Sequence, residues 1–302
     1  MFLPVYLAAL AAIFFYALLP VVGAFMTRQQ WRLFRKSVIE AASLPVFGTK
    51  LAPDAPLASG KFAADAGRCR VHGDVDALGG QHELWISCRN AVVVVDLRDS
   101  WVYILTGRAG DDTLERRRWS ELPSIGPGAR AFIAGAAELS GGRFVIGPAG
   151  KEPPLVILHD GDDDSVVRRS IWAGRHENEY WNPMTQVSMA LGVVTMSGIV
   201  PLALRSRMPS LIGALTLTAA FSPILVLLPP GVVGFFVYRR FWRRARYCRA
   251  RRDAEKLEGA KGKGDFSWQR RAYAATTASV LALASALAVN GWLLVVLLRR
   301  LL

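Results

Sequence analysis

Acidic residues are in short supply: 24 Asp and Glu stand against 37 Lys and Arg, giving a formal net charge of +13 over 302 residues. The four long apolar runs of the chain contain no acidic residue and no lysine, and polar side chains such as Ser222 and Asn290 are few there. Pumps and proton relays need ionisable groups at membrane depth, so this argues against an autonomous ion-coupled transporter. Cysteine is scarce too. Cys69, Cys88 and Cys248 form no C-x-x-C pair, which excludes zinc-ribbon and RING-type sites. There is no G-x-S-x-G elbow and no Walker loop; Gly259–Gly264 is glycine- and lysine-rich but lacks the required order. No cofactor and no metal site is expected.

What the chain does have is segregation. A mean hydropathy of +0.26 beside so much charge means that the two occupy different stretches. Soluble domains mix them at helical or strand periods, so the pattern reads as an integral membrane protein, α plus β in class. It has about four transmembrane helices and a small antiparallel β-barrel or sandwich inserted between the first and second. The divisions are an anchor over 1–26, a juxtamembrane amphipathic helix over 27–47, and a strand-rich domain over 65–186. A transmembrane hairpin with a proline break covers 187–238, a basic amphipathic helix and linker 239–273, and a last span 274–302. The start lacks a positively charged leader and a small-residue cleavage site, so the first run is expected to be retained.

Orientation follows from arginine. Residues 239–252 carry eight arginines directly after the apolar run Leu211–Tyr238, and such clusters stay on the cytoplasmic side. Arg28, Arg32, Arg35 and Lys36 after the first run agree; Arg205, Arg207, Arg299 and Arg300 lie on the opposing side and are outnumbered. The expectation is a multi-pass protein of the cell inner membrane, with the amino terminus outside and the strand-rich domain in the cytoplasm. There Cys69 and Cys88 are reduced thiols. Arg239, Arg240, Arg243, Arg244, Arg246 and Arg249 are the candidate contacts to anionic lipid head groups. Because they adjoin an apolar run, this is preferred over nucleic-acid binding. Tyr180 and Trp181, just before the second run, read as interface-belt aromatics.

Within the domain, apolar residues recur every second position. Strands are expected over Arg68–Asp74, Glu83–Ser87, Val92–Leu97, Trp101–Leu105, Arg130–Gly135, Arg143–Ile146 and Leu155–His159, and a helix over Ser165–Gly174. An anchor, a strand beginning near Val71-His-Gly73, the strand Gly128-Ala-Arg-Ala-Phe-Ile-Ala-Gly135 and a return to the membrane resemble the beside-a-membrane domain. That domain belongs to membrane-anchored ubiquitin ligases and has bacterial relatives. The resemblance covers roughly 65–186 and implies the layout alone: the RING that follows the last span in that family has no counterpart here, and no functional residue carries over.

Two motifs hint at chemistry. Asp160-Gly-Asp162-Asp-Asp164 lacks the glycine and glutamate of a calcium loop, since those places hold Ser165 and Ile171, and reads as a solvated turn. His176, Glu177 and Glu179 offer an acid–base or metal pair, without the second histidine of a zincin. His72, His82 and His159 fall on separate strands and read as structural or surface residues. The functional expectation is a non-enzymatic scaffold or adaptor that presents its cytoplasmic β-domain to a protein partner. The alternatives are a membrane-surface enzyme using His176 and Glu177, or a sensor of anionic lipid through the 239–252 helix.

Overall fold

The computed structural model describes residues 3–47, 67–79, 82–88, 91–98, 100–107, 112–122, 125, 128–140, 143–150, 152–175, 182–205, 209–257 and 264–301. These form two compact units. One is the strand-rich unit, Arg32–Arg175 with a short piece near residue 258; the other gathers the apolar helices.

In the strand-rich unit eight strands follow in order: β1 (Arg68–Gly79), β2 (Glu83–Cys88), β3 (Ala91–Asp96), β4 (Trp101–Thr106), β5 (Thr113–Arg118), β6 (Arg130–Ser140), β7 (Arg143–Gly147) and β8 (Leu155–His159). Six of the seven runs picked out by periodicity lie wholly in one of them, and Val92–Leu97 overruns β3 by one residue, Leu97. The eighth, β5, reads Thr-Leu-Glu-Arg-Arg-Arg and has no apolar alternation to betray it. Strands β1-β2-β3-β7-β6 close on themselves through the β1–β6 pairing, making a five-strand barrel. From β6 the sheet also continues through β8 and β4 to β5.

The barrel is not purely antiparallel, as expected from the short strand spacing. β3 pairs with β7 in parallel, Val93 opposite Phe144, and β4 with β8, Val102 opposite Val156. Three strands separate each pair in sequence, enough chain for the crossover that a parallel pairing needs. The two long strands make closure possible. β6 pairs with β8 over Arg130–Ala134 and with β7 over Ala136–Ser140. The change of partner falls at Gly135, where a Cβ would stand 2.7 Å from both the Gly147 carbonyl and a methyl of Ile146. β1 passes from β6 to β2 at Asp74, beside Gly73, whose missing Cβ leaves room for the Ser87 carbonyl. A side chain at either bend would block the approach of the neighbouring strand.

Inward residues of successive strands fill the core: Val71, Leu84, Ile86, Val93, Val95, Ala131, Ile133, Ile146 and Val156, with Cys69 and Cys88 among them as free thiols. Burial pushes the Cys69 thiol up to about 11, so it stays protonated. A helix, α3 (Asp163–Ala173), follows β8.

The apolar helices begin with α1 (Leu3–Ile13), a π-helical stretch Phe14–Leu18 and α2 (Leu19–Ser43). Nothing interrupts α2 at residue 26, so the expected juxtamembrane helix is a continuation of the anchor and not a separate element. The π stretch has a local cause. Pro20 has no N–H to give the Tyr16 carbonyl, and the backbone widens, with the Leu19 N–H bonding the Phe14 carbonyl five residues back. After α4 (Pro183–Arg205) come α5 (Ser210–Ala220), a 3-10 segment Ser222–Leu227, α6 (Pro229–Leu257) and α7 (Gly264–Leu301). Among the described residues three helices are long and apolar enough to cross a membrane, within Val5–Ser43, Pro183–Leu202 and Phe266–Leu301; Ser210–Ala220 is a shorter apolar helix. The third apolar run is thus not one continuous helix. It breaks earlier than Pro229-Pro230 alone would dictate, because Pro223 at the start of the 3-10 segment stops α5 as well.

The break leaves a debt in hydrogen bonds. Pro229 and Pro230 have no N–H for the carbonyls of Leu225 and Val226. Asn290, fully buried on α7, donates its Nδ2 to the Leu225 carbonyl at 2.6 Å. Gly231 makes the approach possible: a Cβ there would meet the Leu225 carbonyl, and would lie 2.7 Å from Asn290 Nδ2. Replacing Asn290 by leucine should leave the buried Leu225 carbonyl with only its long 3.4 Å bond from the Leu228 N–H and cost about 1–3 kcal/mol. Reversible unfolding of the detergent-solubilised chain measures this, and an unchanged unfolding midpoint would show that the amide does not hold the break.

Candidate functional site

The strand-rich unit carries one concentrated group of polar residues, on the face shared by β1, β6 and β8. Register places them. Asp74 lies opposite Arg130, Arg130 opposite His159, and His72 opposite Phe132. Side chains two apart on a strand share a face, so Arg70, His72 and Asp74 join Arg130 and His159 there. The chain then turns through Asp160-Gly161 and starts α3 above them, bringing Asp163 down between the two histidines.

Asp163 binds Arg130 with one oxygen, Oδ2 to Nη2 at 2.7 Å. Its other oxygen, Oδ1, lies 3.6 Å from His159 Nε2 and 3.9 Å from His72 Nδ1. Neither distance is a hydrogen bond, and all three atoms are buried without a partner among the described residues. The His159 tautomer follows from geometry. Nδ1 is 3.0 Å from the Gly161 carbonyl, which only accepts, so Nδ1 carries the proton and the bare Nε2 faces the carboxylate. Burial lowers both histidines below 6.5; Asp163 pulls the other way, and Arg130 adds to the lowering. Both rings are therefore neutral at neutral pH.

The acidic turn is more than the solvated loop its composition suggests. Arg169, buried on α3, binds Asp112 at 2.7 Å, the Gly107 carbonyl at 2.6 Å and Asp160 at 3.2 Å. Gly161 is needed beside it, since a Cβ there would collide with the guanidinium. At the other end of α3, the Gly174 carbonyl accepts from Arg35 at 2.6 Å, and the Phe34 ring rests on Tyr103 with centroids 4.1 Å apart. The sequence reading assigned His72 and His159 to separate strands without a meeting point. The signal that was available is the alternation of His72 with Asp74 and of Arg130 with Phe132; the missing piece was that β6 lies between β1 and β8.

A cleft of about 490 Å³ opens beside this group, lined by Ile39, Glu40 and Ser43 of α2, Arg70 and His72 of β1, and Asp163 of α3, among others. Among the described residues no group of three or more His, Cys, Asp or Glu side chains is arranged to hold a metal ion.

The arginines of α6 belong to the other unit. Arg239, Arg240, Arg243 and Arg244 are exposed, while Arg246 and Arg249 are half-buried. Arg249 donates to Thr276 of α7 at 2.7 Å and its guanidinium stands 5.6 Å from the Trp242 ring. Further along, Trp268 Nε1 donates to Glu255 at 2.6 Å. From Gly234, whose missing side chain admits Ala286, to Glu255, α6 is therefore paired with α7. Tyr180 and Trp181, like His176, Glu177 and Glu179, lie outside the described residues.

Two outcomes follow. A histidine whose folded pKa lies below its unfolded value weakens the fold on acidification, because the unfolded chain takes up the proton first. Stability contributed by His72 and His159 is complete above about pH 6.5 and lost as pH falls toward the folded values. Thermal unfolding followed from pH 7.5 to 5 should show the decline, and His159→Gln should flatten it. Separately, Arg169→Met takes from the buried Asp112 carboxylate its 2.7 Å guanidinium partner, and breaking a buried pair from one side costs about 3–5 kcal/mol. A loss below about 1 kcal/mol, the range of exposed pairs, would place the pair among surface interactions.

Compared with protein-family models, with curated proteins and with solved structures, the chain returns no match in any of the three.

Proposed function

We propose that this is a non-enzymatic, multi-pass protein of a bacterial inner membrane that holds its barrel unit in the cytoplasm as a scaffold or adaptor for a protein partner. The observation that carries the reading is the way the strands end. Five of them close into a barrel, and the extension through β8 and β4 finishes at β5, which pairs only with β4 among the described strands. That leaves an outer strand bearing Arg116, Arg117 and Arg118, with Arg116 stacked 3.8 Å over Trp101. Outer strands of this kind are where a second chain can dock.

The four-crossing topology belongs to the same proposal. α5, the 3-10 segment and the apolar start of α6 form one interrupted crossing, with α7 as the straight helix alongside. The test has two parts. Protease added outside sealed cells should leave residues 67–175 intact, and cleavage there would overturn the orientation. Cross-linking in intact cells followed by mild solubilisation should recover a stoichiometric partner, lost when Arg116 and Arg118 are replaced by glutamate; recovery of the chain alone would count against a scaffold.

Anionic lipid is a second reading, favoured by the four exposed arginines at 239–244. Each contributes about 1 kcal/mol near an anionic surface and is screened by salt. Reconstituted protein should then enrich anionic lipid around itself at low salt and lose the enrichment when those arginines become glutamine.

A further inference from the structure

The cleft beside Asp163 has two kinds of wall. Ile39, Ala42 and Val167 make an aliphatic side, while Glu40, Asp163 and Asp164 bring carboxylates and His72 an imidazole. Arg70 is the guanidinium on the wall, and its Nη1 is engaged by the Ala42 carbonyl at 2.7 Å. Arg130 stands behind Asp163 and is held by Oδ2. Arg70 keeps an unpartnered Nε, Arg130 Nε lies 3.2 Å from Asp74 Oδ1, and both arginines are tied through their terminal nitrogens. The Asp163 Oδ1 acceptor has no such tie: it is buried and unpartnered, as is His72 Nδ1 3.9 Å away, and His159, its side chain wholly buried, directs an equally unpartnered Nε2 at the same oxygen.

An anion is a poor fit, because three carboxylates line the cleft. The α3 amino terminus adds a partial positive charge of about half a unit, less than the carboxylates of Asp163 and Asp164 in its own first turn. The fitting chemistry has N–H donors, no lone pair, a positive charge and a short apolar tail. A primary ammonium presents three donors and no acceptor, and about 490 Å³ lies within the range of small-molecule sites. We infer that the cleft binds a small aliphatic amine, with its ammonium against the Asp163 carboxylate on the wall that Glu40, Asp164 and His72 share, and its chain along Ile39, Ala42 and Val167.

The inference is independent of the scaffold reading, and a failure of either leaves the other standing. The test uses the full chain in detergent at pH 7.5, titrated calorimetrically with n-butylammonium and 1,4-diaminobutane, with tetramethylammonium and butyrate as controls. The two primary amines should bind saturably, one per chain. Tetramethylammonium, which has no N–H, and butyrate, which is an anion, should not. Asp163→Asn should weaken binding at least tenfold. Because Asp163 also holds Arg130, Glu40→Gln provides the second variant: Glu40 is half exposed and paired with Lys36, so its loss should weaken binding severalfold without moving the unfolding midpoint. Binding should also fall between pH 7.5 and 5.5, as His72 and His159 take up protons opposite Arg70, Arg130, Asp74, Asp163, Asp164 and Glu40. Absence of saturable amine binding, equal binding of tetramethylammonium, or affinity indifferent to Glu40→Gln would overturn the assignment.

Discussion

Backbone groups removed from water must find partners within the protein, and both units are organised around meeting that demand. In the strand-rich unit the answer is closure. β1 and β6 pair over seven residues, Arg68–Asp74 against Arg130–Ala136, and this seam turns two free strand edges into a barrel wall. Among the apolar helices the answer is local repair. Two adjacent prolines leave two carbonyls without their helical donors, and an amide from α7 reaches one of them. Glycine is the enabling residue in both places. Gly73 and Gly135 stand where the long strands change partner, and Gly231 stands where Asn290 meets the broken helix; at each, a Cβ would touch backbone oxygen.

What could be read from the sequence is what depends on local pattern. Alternation revealed seven strands because each has an apolar face in the core. β5 escaped because its arginines stay outside the core: only Leu114 of this strand is buried. The break in the third apolar run was legible in Pro229-Pro230, but its width was not, since that depends on Pro223 ending α5 and on Asn290 compensating for the loss. Strand order was beyond local pattern altogether. Parallel pairing of β3 with β7 and of β4 with β8 is a long-range choice, and so is the insertion of β6 between β1 and β8. The polar site is a product of that order. His72, Arg130 and His159 are far apart in sequence and each is unremarkable in its own strand. Their meeting is visible only once β6 is known to lie between the other two.

Within residues 32–175 acid and base are nearly balanced, 18 Asp and Glu against 19 Lys and Arg, and burial decides what each ion pair contributes. Asp96 with Arg98 and Glu115 with Arg117 are exposed pairs two residues apart on one strand; water and salt screen them, and they contribute little. Asp112 and Arg169 are different. Their side chains are 2% and 8% exposed, so the pair is sheltered from the water and salt that weaken the exposed ones. Arg169 meets its remaining needs from the Gly107 carbonyl and Asp160, so one side chain of α3 ties the strand ends around β4 and β5 to the turn after β8.

That makes α3 the element on which the cleft depends. Its first turn is fixed to the barrel by Asp163 on Arg130, its middle by Arg169 on Asp112, and its end by the Gly174 carbonyl on Arg35 of α2. Attachments at three levels along eleven residues leave a helix little freedom to slide or tilt. Two walls of the cleft, Ile39–Ser43 on α2 and Asp163–Val167 on α3, are therefore set by contacts outside the cleft itself. Its acceptors are held in place by the same network that leaves them unpartnered: Arg130 takes one oxygen of Asp163 and turns the other toward the two histidines, and the Gly161 carbonyl fixes the His159 proton on the side away from Asp163. The deficit of donors at that point follows from how α3 is fastened.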